Sequence, residues 1–243
     1  MSYDPREFWD RRLSEHFDLR GTGETGLSLA YNQACYALRR SVLDRALGGA
    51  GVDPRGLTVL DVGCGSGFFT RYYLERGARV TGLDIAPTSI ERLRERHPEA
   101  RFVLGDVSET PLAESFDVIN AFDVLYHITD DARWEIAVRH LAAAVKPGGL
   151  LLLTDTFADA GGASHNKARS LDRYRALLTP AGLEVREIRA THVLLNRHLG
   201  PWRWLNRWPG LLEAADRVLL ALGLGARDPV VSKLMVARRR AGV

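Results

Sequence analysis

The sequence predicts an α/β fold: a seven-stranded, mostly parallel sheet covered by helices, with an N-terminal helical cap and a helical insertion before the last strand. Three observations predict it. Between residues 57 and 157, short β-branched and aliphatic runs alternate with helical segments, the pattern of strand–helix–strand units packed into a parallel sheet. Several of these runs end in an aspartate, at Asp61, Asp84 and Asp155, and the run between Asp84 and Asp155 that begins at Ala100 passes through Asp106. The first run leads directly into glycines at alternate positions, Gly63, Gly65 and Gly67, and then into a helix. That is a strand–loop–helix cradle, in which the backbone comes close to a ligand and the helix offers unpaired N–H groups.

Residues 1–53 carry no strand signal and read as the cap. Residues 54–243 read as the sheet domain, with an insertion at about 198–226, the whole forming one structural domain. Pro5 to Leu13 opens a helix, with proline in its first turn and apolar Phe8, Trp9 and Leu13 after it. Gly21 to Gly26 reads as a loop. Tyr31 to Leu47 reads as a helix with Tyr31, Cys35, Leu38, Val42 and Leu43 at apolar positions, stopped by Gly48-Gly49. The first strand is Leu57 to Leu60 and the second Ala78 to Asp84. A surface helix, Thr88 to His97, follows and ends before Pro98. Ala100 to Val107 is the third strand, and Ser115 to His127 holds the fourth. Asp131 to Val145 is an amphipathic helix with Trp134, Ile136, Val138 and Leu141 apolar. Lys146-Pro147-Gly148-Gly149 turns into a fifth strand, Leu150 to Asp155. Ser170 to Leu178 is a helix, Pro180 to Leu183 a turn, and the sixth strand runs from about Glu184 to Leu195. The last strand is Val231 to Ala237. Before it stands the insertion, Leu199 to Gly210, with three of the five tryptophans, and then a helix with Leu211, Ala215, Val218 and Leu222 on one stripe.

The glycine loop excludes two common ligands. A dinucleotide fingerprint needs a small residue where Phe68 stands, and a phosphate loop ends in Gly-Lys-Ser/Thr, with no lysine near here. Asp61, just before the glycines, would repel a pyrophosphate and suits a ligand carrying an ammonium group. Asp84 follows about twenty residues after the loop, the place from which an acid accepts hydrogen bonds from ribose hydroxyls.

With these residues the chain resembles the class I S-adenosylmethionine (SAM) methyltransferases, whose first motif is Asp-x-Gly-x-Gly-x-Gly. The resemblance covers residues 57–157 and takes in Asp84, Gly105-Asp106-Val107, the fourth-strand segment and Lys146-Pro147-Gly148-Gly149. It implies a Rossmann-like methyltransferase domain with SAM as cofactor and S-adenosylhomocysteine as product. It implies that Asp61 holds the methionyl ammonium and that Gly63, Cys64, Gly65 and Gly67 pass beneath the amino-acid part. Asp84 and Ile85 would take the ribose, Asp106 and Val107 the adenine, with Ala121 and Phe122 completing the site. The amino-directed motif Asn/Asp-Pro-Pro-Tyr is absent; Asn120-Ala121-Phe122-Asp123 stands in its place, which argues against nucleobase or glutamine amides as acceptors.

His127, after the fourth strand and near the expected methyl position, is the first candidate for a general base, because histidine titrates near working pH. Its other reading is packing and loop order. His165 is the second candidate, and Asp123 and Asp155 are placed to orient a base or bind a polar acceptor. Trp9, Tyr31, Tyr36, Tyr126 and Trp202 are candidates to face the substrate, the alternative for each being helix packing. No metal-ligand set is recognisable. The expected activity is methyl transfer to a small molecule, at an oxygen of a secondary metabolite or sugar. The alternatives are cyclase-like chemistry on the same fold or methylation of RNA.

Composition narrows the partners. The 33 basic and 30 acidic residues nearly balance, at a net charge of +3, so no nucleic-acid footprint is implied. Two cysteines, Cys35 and Cys64, make neither a disulfide framework nor a zinc site. No apolar run approaches the length that spans a bilayer and the N-terminus has no signal core, so a cytoplasmic protein without stable membrane insertion is expected. The tryptophan-rich insertion reads as a substrate lid or a homodimer contact, or as a packed excursion without function. An interfacial membrane helix is a weaker reading, because the segment is short and weakly basic.

Overall fold

Along each central strand consecutive side chains leave the sheet on opposite faces, and in this chain both faces are apolar. Leu150 and Leu152 join one core while Leu151 and Leu153 join the other, and all four are essentially fully buried. The computed structural model describes residues 3–110, 112–158, 165–195 and 199–242. The seven-stranded, mostly parallel sheet is borne out, in the order β3-β2-β1-β4-β5-β7-β6. β1 (Thr58–Val62), β2 (Arg79–Asp84), β3 (Arg101–Leu104), β4 (Phe116–Ala121) and β5 (Val145–Asp155) pair in parallel. β7 (Lys233–Arg239) runs antiparallel between β5 and β6 (Leu183–Ala190).

Helices α6 (Asp131–Ala144) and α7 (Leu171–Leu178) cover one face, with Trp134, Leu141, Tyr174 and Leu178 against Leu60, Ile119, Leu151 and Met235. On the other face α3 (Leu29–Gly49) and α4 (Phe68–Leu74) bring Val42, Leu43 and Tyr73 against Val59, Val118, Leu152 and Val236. Each such buried aliphatic side chain contributes about 1.5–3 kcal/mol. α5 (Pro87–Arg96) packs Ile90 and Leu93 on Phe102. α3 has a second role. Its Tyr31, Ala34 and Leu38 form a separate cluster with Leu195 and Leu212, tying the cap to the insertion. α1 (Pro5–Glu15) is capped by the Asp4 carboxylate, which accepts from Glu7 N. A short α2 (Leu19–Thr22), capped by Asp18, occupies part of the segment that reads as a loop.

Three boundaries differ from the sequence reading for a visible reason. β3 ends at Leu104, so Asp106 and Val107 stand in a loop where the Asp106 carboxylate accepts from Ser108 N at 2.7 Å. Lys146 to Gly149 forms a bulge inside β5, where the register passes from Phe116↔Val145 to Val118↔Leu150. β6 ends at Ala190 instead of Leu195, because the backbone turns away to meet a buried acid. The N–H groups of Val193, Leu194 and Leu195 donate to the Asp216 carboxylate at 3.1, 2.6 and 2.8 Å. The apolar stripe read on the helix of the insertion, α8 (Pro209–Ala221), faces outward. Leu211, Val218 and Leu222 are 64%, 60% and 70% exposed, while Leu212 and Asp216 are buried. α8 is apolar on both sides, and the side that packs is the one carrying the acid that needs those three donors. Among the described residues no helix is long and apolar enough to cross a membrane.

Candidate active site

The carboxyl ends of β1, β2 and β4 open onto one cleft of about 280 Å³, roofed by the cap. Its floor is the glycine loop. Gly63 and Gly65 have φ of 65° and 52°, in the left-handed region. A Cβ on Gly63 would stand 2.4 Å from Val124 Cγ2, and one on Gly65 would stand 2.4 Å from Thr22 Cγ2. The loop is thus squeezed between β4's exit and the cap, and bare backbone faces the cleft. Gly67 caps α4 with φ of 86° and lies outside the cleft lining.

Asp84 lines the cleft. Its carboxylate accepts from Gly65 N at 2.7 Å and Ala86 N at 2.9 Å, with no cation paired to it among the described residues, and burial raises its pKa. Ile85, Val107, Cys64 and Phe122 line the same cleft. Burial pushes the Cys64 thiol far up, so it is no nucleophile. Asp106, also in the lining, is bonded by the Ser108 hydroxyl at 2.6 Å and paired with Arg133 at 2.8 Å. Arg133 lines the cleft beside it and was missed from sequence; nothing local distinguishes it from Arg139 on the same amphipathic helix.

Asp61 and Ala121 lie beneath the lining. Asp61 is 2% exposed, and its oxygens accept from the Thr70 hydroxyl at 2.7 Å and Asn120 Nδ2 at 2.9 Å. It therefore ties β1 to α4 and β4 under the loop. Burial pushes its pKa up to about 6. Asp155 is also away from the cleft, bonded by Tyr174 Oη at 2.8 Å and pushed up to about 6 by burial.

The two histidines come together. His127 Nδ1 lies 2.9 Å from the His165 carbonyl oxygen. A carbonyl only accepts, so Nδ1 carries the proton and Nε2 the lone pair. Nε2 has no hydrogen-bond partner among the described residues. The His165 ring stacks between Phe8, at 5.4 Å, and His127, at 5.9 Å, and Trp9 meets His127 edge-on at 4.8 Å. Burial drives the His127 pKa down to about 4, so its imidazole is neutral at pH 7. The loop that carries His165 is anchored below by Arg169. This fully buried side chain donates to Lys167 O at 2.6 Å, Thr129 O at 3.2 Å and the Asp131 carboxylate at 3.0 Å. Lys167, Arg169 and Arg173 together hold Asp131 far below the usual carboxylate range.

Of the five aromatic candidates, Trp9 and Tyr36 line the cleft. Tyr36 donates to Thr22 Oγ1 at 2.8 Å, and burial raises its pKa. Tyr126 packs on His127 at 4.4 Å outside the cleft lining, with its phenol pushed far up by burial. Tyr31 is buried against the insertion and Trp202 is 61% exposed, so neither reaches the cleft. A further pair does. Asp123, lining the cleft with an unusual φ of 58°, pairs with Arg39 of α3 at 2.8 Å, and its other oxygen accepts from the Thr154 hydroxyl at 2.9 Å. Arg39 sits one turn beyond Tyr36, a spacing that only the path of α3 over the strand ends makes meaningful. No group of three or more His, Cys, Asp or Glu residues among the described ones is placed to hold a metal ion.

Residues 60–153 match the model of a family described as "Methyltransferase domain". Over these residues the chain matches a methyltransferase domain. Curated relatives with similar sequence include a malonyl-[acyl-carrier protein] O-methyltransferase of Serratia marcescens, 36% identical over 122 residues. That match covers 50% of this chain and 46% of the relative. A ubiquinone biosynthesis O-methyltransferase of Methylobacterium sp. (strain 4-46) is 43% identical over 101 residues, covering 39% of each chain. The match therefore spans less than half the length of either relative. Among solved structures, magnesium protoporphyrin IX methyltransferase from Synechocystis PCC 6803 with bound SAM is similar over 96% of this chain and 94% of its own. Its TM-score is 0.64 at 17% identity, which makes it a likeness of fold.

Proposed function

We propose that this chain is a SAM-dependent methyltransferase that moves a methyl group onto an oxygen of a small molecule, a secondary metabolite or a sugar. One observation carries the reading: the same cleft joins the glycine loop, Asp84 and Asp106 to a neutral imidazole whose Nε2 has no partner among the described residues. The two O-methyltransferase relatives support the oxygen as the acceptor atom.

The residues present fit SAM. A floor where a Cβ would collide leaves room for a ligand against the backbone, and Asp84 keeps lone pairs for ribose hydroxyls without a competing cation. Asp106 and Val107 offer an acceptor and an apolar wall for the adenine. Asp61 supports the loop from beneath and contributes negative charge near the amino-acid end. When bound, SAM supplies an electrophilic methyl group on a sulfonium sulfur. The chain's own task is to orient the acceptor, exclude water and remove a proton. Trp9 and Tyr36 close the cleft from the cap side. His127 Nε2 accepts the proton that leaves the acceptor oxygen; the O–H becomes strongly acidic as that oxygen gains a third substituent and positive charge, so a base near pKa 4 suffices. Asp123, whose charge favours the protonated imidazole, stabilises the product of that transfer.

Thermal unfolding with SAM, followed by methyl-labelled SAM with a panel of hydroxyl and carboxyl acceptors, tests the reading. SAM at a hundredfold excess over Kd stabilises by about 2.7 kcal/mol, or about 5–10 °C for a chain of this size. No shift refutes the SAM site. A shift with no labelled product on any oxygen acceptor refutes the transfer.

A further inference from the structure

Eight of the eleven exposed large hydrophobic residues described lie between residues 202 and 230: Trp202, Trp204, Trp208, Leu211, Val218, Leu222, Leu224 and Val230. The tryptophans form one cluster, with ring centroids 6.4 Å apart for Trp202 and Trp204 and 5.5 Å apart for Trp204 and Trp208. They stand on a 3₁₀ segment, Gly200–Arg207, that leads into α8. The inner side of this insertion is already satisfied, by Leu205 and Leu212 on Tyr31 and Leu38, and by Asp216 on three backbone N–H groups. So the outer side is a second apolar face on a helix that has spent its first one on packing. The three indoles alone expose on the order of 300 Å², the size at which apolar patches mark interaction sites.

We propose that this face rests on an anionic lipid surface, lying in the headgroup region without crossing the bilayer. Indole rings prefer that depth, and arginines between them reach the lipid phosphates. Arg203 and Arg207 alternate with the tryptophans and make no ion pair among the described residues, as does Arg227 further on. Of the acids in the insertion, Glu213 is tied to Arg217 at 2.7 Å and Asp216 is buried. Charge also decides against a second copy of the chain. A twofold contact would set this patch against itself and face Arg203, Arg207 and Arg227 with arginines, with Asp228, whose carboxylate accepts from Val230 N, the one exposed acid of the patch outside an ion pair among the described residues. A lipid surface supplies the missing negative charge. The proposal does not depend on which acceptor the cleft takes.

Co-sedimentation with vesicles of phosphatidylcholine alone, and of phosphatidylcholine with phosphatidylglycerol, tests it on the full chain. Each arginine at an anionic surface contributes about a fivefold gain, so Arg203 and Arg207 predict about twentyfold tighter binding to the anionic vesicles at low salt. Binding should blue-shift the tryptophan emission. W202S/W204S/W208S should abolish binding while keeping the parent's unfolding midpoint and its SAM-induced shift. R203Q/R207Q should still bind but lose the preference for phosphatidylglycerol. The proposal is overturned if neither vesicle binds the parent, or if the triple variant binds as the parent does. It is also overturned if the parent sediments as a dimer that the triple variant breaks, since the face would then belong to a second copy.

Discussion

Replacing Asp61 by asparagine keeps the shape of the side chain and removes its titration. In the parent, burial pushes the Asp61 pKa up to about 6 from the ordinary carboxylate value of 3.8. Between those values the folded protein holds a proton that the unfolded chain has released. The group's contribution is therefore fully present below pH 3.8 and is lost as pH rises through about 6. Asparagine carries no such dependence. Its amide oxygen accepts from one of the two present donors, and its amide nitrogen donates to the Thr70 hydroxyl or meets Asn120 after a flip of that amide. Working the linkage between about pH 5 and about pH 8 gives a change of about 1.4 kcal/mol in the variant's favour. Urea unfolding of both proteins at the two pH values, with equal slopes, measures it. The difference between the proteins is needed, because the parent's own profile mixes opposing groups. Asp155 is raised to about 6, as Asp61 is, whereas His127 and His192 are lowered to about 4 by burial. For the histidines the unfolded chain holds the extra proton, so their contribution grows as pH rises from about 4 to 6.5. A stability difference that is flat with pH, or that moves against the variant as pH rises, refutes a buried Asp61 that titrates near 6.

Three further outcomes are expected. His127→Ala should lower kcat by about 10²–10⁴ while leaving SAM affinity within a factor of two or so; an equal loss in both would make His127 a structural residue. Because the imidazole titrates near 4, the parent's rate should show no histidine-type inflection between about pH 6 and 8. Arg39→Leu leaves the Asp123 carboxylate without its cation and should cost about 3–5 kcal/mol in chemical denaturation, with much of that recovered in Arg39→Leu/Asp123→Asn. A double variant no more stable than the single would contradict the pairing. Gly65→Ala must hold a left-handed φ of 52° and displace Thr22, so SAM affinity should fall at least about tenfold, measured by calorimetry. Unchanged affinity would show that the backbone approach at Gly65 is not used.

Local signals carried most of the fold. Alternating strands and helices, the glycines after Asp61 and the acids at the strand ends each depend on neighbours within a few residues, and they placed the sheet and the cleft. Asp84, Asp106, Trp9, Tyr36 and His127 all reach that cleft. Long-range geometry was the hidden part. Asp61 reads as a ligand contact because it precedes the glycines, but Thr70 and Asn120 claim both of its oxygens. His165 reads as a second base, and what it provides to His127 is a carbonyl, which every residue has. Arg39 could not be singled out among 30 arginines until α3 was seen to pass over Asp123. The stripe on α8 was legible, but not the direction it faces. Periodicity finds an apolar face but cannot say which of two faces packs, and Asp216 decided it from the other side.

The order of the sheet has a consequence for how the chain comes to be folded. β7 lies between β5 and β6, so until residue 239 has been synthesised β6 lacks its sheet partner and β5 has only β4. Until then the Leu150–Leu153 edge of β5 stays unpaired, an apolar ladder open to any other extended chain. The insertion precedes β7 in the chain and therefore emerges while that edge is still bare. A destabilised insertion would thus reveal itself first as poor yield during synthesis, with aggregation that a refolded, purified protein need not show.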